Sequence, residues 1–91
     1  MIYKLIEKQE CVIEFDKNSE TYVNNYKKFY GTKRKGKIFG FWHEVGTEMV
    51  DYQGNTYISE DWFDDKQKAI SYARAFNEQH YGRNELFKIL E

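Results

Sequence analysis

The sequence predicts an α+β domain: a mainly antiparallel sheet of about five to six strands, with one or two helices packed on one face. Three observations carry that expectation. Short runs of alternating apolar and polar residues recur along the chain. A stretch beginning near Asp64 has helical spacing and a cap at each end. Seventeen aromatic residues exceed the Ile, Leu and Val total, which points to a core built largely from rings. At 91 residues the chain holds one domain, 1–91, with a small core and no room for a second.

Taken in order, Ile2 to Glu7 and Cys11 to Phe15 read as two strands of a hairpin, separated by the polar Lys8, Gln9 and Glu10. Ser19 then offers an N-cap and Gly31 a C-terminal stop. Between them Tyr22, Tyr26 and Phe29, beside Val23 and Tyr30, recur at three- and four-residue spacing and predict a helix. The alternative for residues 19–31 is a hairpin, with Asn24 and Asn25 forming a turn. From Lys37 to Val45 the residues Phe39, Phe41, His43 and Val45 fall on one face of a strand. Glu48 to Tyr52 and Thr56 to Ser59, joined by the turn Gln53-Gly54-Asn55, complete a three-stranded meander. Asp64 followed by Asp65, Lys66 and Gln67 has the logic of a capping box. It opens a helix with the stripe Ala69, Ile70, Ala73 and Phe76, flanked by Tyr72 and His80 and stopped at Gly82. Asn84 leads into a last strand, Leu86 to Leu90, expected inside the sheet.

The net charge of −1 conceals two blocks. Thr21 to His43 contains six basic residues (Lys27, Lys28, Lys33, Arg34, Lys35 and Lys37) and no acidic one. Glu44 to Asp65 contains seven acidic residues and no basic one. Cations interleaved with rings such as Tyr30 and Trp42 are what single-stranded nucleic acid or a nucleotide needs. The competing reading buries the rings and leaves Lys33 to Lys37 as a solvated loop. In the acidic block Glu60, Asp61, Asp64 and Asp65 surround Trp62 and Phe63, an acidic and aromatic surface suited to a basic partner protein. Here the competing reading is structural: Asp64 and Asp65 cap the helix, and the two rings staple its entry to the core.

Catalytic patterns are missing. His43 and His80 have no Ser or Cys context, and Cys11 stands alone. Gly31, Gly36 and Gly40 lack phosphate-loop spacing, and the few Cys and His residues make no zinc pattern. Glu60, Asp61, Asp64 and Asp65 could hold Mg²⁺, but without an accompanying catalytic Lys motif. The expectation is therefore a binding protein without enzymatic activity, cofactor or metal. A host protein is the expected partner. The runner-up is nucleic acid or a nucleotide bound by segment 22–42, and a homodimer is left open. The lone Cys and the polar start predict a cytoplasmic protein without a membrane role.

The opening MIYKLIEKQE, the Pro-free composition rich in Lys, Asn and Tyr, and the terminal segment WFDDKQKAISYARAFNEQHYG resemble the small orphan proteins of phages and mobile elements of low-GC bacteria. That resemblance implies stoichiometric binding. Many such proteins inhibit a host enzyme or defence component, in the manner of anti-CRISPR proteins. It assigns no site residue.

Overall fold

The computed structural model describes residues 1–82 and 86–91. Strands β1 (Ile2–Asp16) and β2 (Thr21–Lys35) form one long antiparallel hairpin, in continuous register from Tyr3↔Arg34 to Asp16↔Thr21. The two short strands expected before residue 16 are thus a single strand. Lys8 to Glu10 do not break it, because Lys8 and Glu10 lie on the same face and pair at 2.7 Å. Residues 19–31 are not helical. Ser19 caps a turn instead: its Oγ donates to Asp16 Oδ2 at 3.1 Å, Asn18 N–H donates to Asp16 Oδ1 at 3.0 Å, and Glu20 takes a left-handed φ of 56°. The four-residue spacing of Tyr22, Tyr26 and Tyr30 suits a strand face as well as a helix face, and pairing with β1 decides between them.

The strand expected over 37–45 is reduced to β3 (Trp42–Glu44), which pairs with Lys33–Lys35 of β2. Its first half is a loop in which Gly36 N–H donates to the Phe41 carbonyl at 2.7 Å and Gly40 adopts φ 69°. Strands β4 (Gly46–Val50) and β5 (Thr56–Glu60) form a separate two-stranded hairpin around the expected 53–55 turn, so the three-stranded meander is not formed. Helix α1 (Lys66–Tyr81) begins one residue later than expected. Asp65 is its N-cap, accepting from Gln67 N–H at 2.8 Å, and Gly82 at φ 92° ends it. Asn84 lies outside the described residues. The last strand, β6 (Lys88–Leu90), runs parallel to β1 at Ile2–Lys4, at the sheet edge rather than inside it; the order is β3-β2-β1-β6. The fold is α+β, with one helix against a mainly antiparallel sheet.

The core is smaller than the ring count suggested. The buried apolar side chains are Tyr3, Val45, Ala69, Ala73 and Phe76, so only two of the seventeen rings belong to the buried core. The expected stripe on α1 supplies three of them, while Ile70 is half-buried. Met1, Ile58, Tyr72, Tyr81, Phe87 and Ile89 pack around this centre. Tyr3 joins sheet to helix, its hydroxyl donating to the buried Asn77 Oδ1 at 3.0 Å. Burial, and then the neighbouring Tyr81, push the Tyr3 phenol up to about 12, with Arg34 opposing. The unfolded value is near 10, so the folded chain holds a proton that the unfolded chain releases. This contribution is complete below about pH 10 and is lost as pH rises towards 12. Urea melts across that window are expected to show a shallower alkaline loss of stability for Tyr3→Phe than for the parent. Identical slopes would count against a phenol held neutral by burial.

Candidate functional site

The aromatic pair of the acidic block is built into the fold. Trp62 lies over the β2 backbone where Gly31 leaves room: a Cβ at Gly31 would sit 3.3 Å from the indole and 3.1 Å from the Asp61 carbonyl. Lys8 Nζ covers the same ring at 4.3 Å. Phe63 exchanges two backbone hydrogen bonds with Tyr30, at 2.7 and 2.8 Å, and packs its ring 5.2 Å from that of Tyr72. Both rings are half-buried. Both pack against the body of the fold at the entry to α1, the geometry of the stapling alternative.

The acidic side chains around them are also engaged. Glu60 pairs with Lys33 at 2.9 Å; this hydrogen bond, helped by the charges of Glu60 and Glu44, raises the Lys33 pKa against the effect of burial. Asp61 Oδ2 accepts from Thr47 Oγ1 at 2.7 Å. Burial and then hydrogen bonding to Asp61 raise the Tyr72 pKa. Asp64 pairs with Lys68 at 3.1 Å, which lowers its pKa, and Asp65 caps α1. Among the described residues, no three of His, Cys, Asp and Glu converge as a metal site.

The basic block does not form one surface either. Lys27 pairs with Glu14, whose pKa falls through hydrogen bonds from Lys27 and Asn25. Tyr30 lies 5.8 Å from Lys66 Nζ, and Trp42 is covered by Lys4 Nζ at 4.5 Å. Lys28 lies well along the ribbon, opposite Gln9, and is exposed. At the other end of β2, Arg34 and Lys37 line a cleft with Phe39, Phe41, His43 and Tyr81, and Lys35 lines an adjoining depression. The structure thus brings together three members of the basic block, Arg34, Lys35 and Lys37, and separates the rest.

A second surface was not legible in the sequence. β6 covers the outer edge of β1 only at Ile2–Lys4. On β2, β3 covers Lys33–Lys35 and Phe63 covers Tyr30. Beyond these points the hairpin continues as a two-stranded ribbon with no further strand on either edge among the described residues. From the Lys8↔Phe29 pair to its tip it extends roughly 25 Å at about 3.3 Å per residue. The molecule accordingly measures 53 Å along its long axis, with a radius of gyration of 16.6 Å, where a compact chain of this length would have about 12–13 Å. Cross-strand pairs share a face, so Cys11 with Tyr26 and Phe15 with Tyr22 lie together, and Ile13 joins them between. Tyr22, Tyr26 and Ile13 are 75%, 71% and 70% exposed. The opposite face carries Glu10, Lys27, Asn25 and Glu14; Glu14 pairs with Lys27 and accepts from Asn25, and Glu10 pairs with Lys8.

Among the described residues, no helix is long and apolar enough to cross a membrane. The chain matches no family model, no curated protein and no solved structure.

Proposed function

We propose that this chain is a non-enzymatic binding protein that docks on another protein through the free end of the β1–β2 ribbon. The observation that carries this reading is the strip of Ile13, Phe15, Tyr22 and Tyr26, exposed on one face of a ribbon whose edges carry no neighbour among the described residues. A two-stranded hairpin of this kind is marginal in water on its own, and contiguous exposed apolar side chains mark interaction sites. Docking would bury the strip, and the open backbone edges would add strand-to-strand hydrogen bonds. The engagement of the acidic side chains within the fold supports binding rather than hydrolysis. A small phage or mobile-element inhibitor that occupies a host-defence protein is the biological form this proposal takes.

The test compares the parent with Phe15→Ser/Tyr22→Ser in affinity capture from nuclease-treated host lysate, with thermal melting and light scattering alongside. A partner retained in stoichiometric amount by the parent and lost by the double variant, at unchanged melting temperature, is the expected result. Equal capture by both proteins overturns the proposal. So does a parent dimer that the substitutions convert to a monomer without any other partner, because a second copy would then occupy the strip.

A further inference from the structure

The cleft at the opposite end of β2 from the ribbon tip has a different chemistry. We propose that it binds a ligand joining a phosphate to a planar base, as a nucleotide does. Its volume of 410 Å³ suits a small molecule, since such sites span about 300–1,000 Å³. Arg34, Lys37 and His43 line it together with Phe39, Phe41 and Tyr81, and among the described residues the lining holds no carboxylate side chain. Arg34 Nε is buried and has no hydrogen-bond partner among the described residues, while its guanidinium stands 5.7 Å from the Tyr81 ring. A buried donor without an acceptor is costly, so the Arg34 guanidinium gains by turning towards a phosphate or base oxygen in the cleft.

The rings make the second half of the case. Phe39 and Phe41 are 80% and 67% exposed, with centroids 6.0 Å apart. They are held on a turn closed by the Gly36–Phe41 hydrogen bond and the left-handed Gly40. His43 packs directly on Gly36, where a Cβ would lie 2.9 Å from its Nε2, so the imidazole is placed by the same turn. Exposed rings fixed beside cations offer stacking to a base and neutralisation to a phosphate. Free nucleotides and single strands share this chemistry, and the experiment separates them.

The full chain is titrated calorimetrically with AMP, GMP, CMP, UMP, adenosine, inorganic phosphate and a short oligothymidylate, at about 50 and 200 mM salt. The expected result is binding of at least one monophosphate or of the oligonucleotide, with adenosine and phosphate alone about tenfold weaker or worse. Phe39→Ala/Phe41→Ala, which touches only exposed rings, and Arg34→Gln should each weaken binding about tenfold, whereas Phe15→Ser/Tyr22→Ser leaves it unchanged. A monophosphate that binds as tightly as the oligonucleotide identifies the free nucleotide; an affinity that grows with strand length and falls steeply with salt identifies the single strand. Absence of heat with every monophosphate and with the oligonucleotide overturns the proposal, as does binding indifferent to the Phe39/Phe41 substitution.

Discussion

Replacing Trp62 and Phe63 together by alanine is expected to remove a large share of the domain's folding free energy. Full truncation of a buried Trp or Phe costs about 3–5 kcal/mol each. Both rings here are half-buried, so about 3 kcal/mol for the pair is the appropriate scale. A 91-residue domain has only about 5–10 kcal/mol in total. The loss comes from three places at once: the indole leaves Gly31 bare, Lys8 loses the ring beneath it, and the Phe63–Tyr72 contact at the entry to α1 disappears. Urea denaturation should show a much lower midpoint. A variant with an unchanged midpoint that had lost its partner would return these rings to the role of interface.

Gly46→Ala is the second large effect. Gly46 is buried where β4 begins, and an added Cβ would fall inside the Ser59 carbonyl of β5 and 2.9 Å from Asp61 N just beyond it, all main-chain atoms. Main chain cannot rotate aside as a flexible side chain does. The Gly46↔Glu60 end of the β4–β5 hairpin must therefore separate, which disturbs the adjacent Val45, one of the five buried apolar residues of the core. A loss of about 2–4 kcal/mol follows. The thermal midpoint measures it, and an unshifted melt would contradict the close approach of the two strands.

The sequence made the helix and its caps legible because their signals are local. Asp65, Ala69, Ala73, Phe76 and Gly82 act within a few turns of one another. The β4–β5 turn was legible for the same reason. The long hairpin was not, because its decisive fact is the pairing of residues such as Cys11 and Tyr26 across the sheet. A Tyr22–Tyr26 spacing of four satisfies a helix and a strand alike. Charge blocks misled in a related way. The two blocks neutralise each other through contacts such as Lys33–Glu60, so linear clustering did not become surface clustering. What stays together of the basic block is Arg34, Lys35 and Lys37, at the end of β2 and the start of the loop that follows it.

The pairing of β6 with the first residues of β1 also sets an order of assembly. The β1–β2 hairpin closes around the short turn at Lys17–Glu20 and carries little loop entropy. The Ile2↔Lys88 pairing joins positions from opposite ends of the chain and carries the most. During synthesis the β1–β2 pairing can therefore be sampled early, while the body that anchors it waits for β6 to emerge. A nascent chain would thus expose Ile13, Phe15, Tyr22 and Tyr26 before it has a finished core.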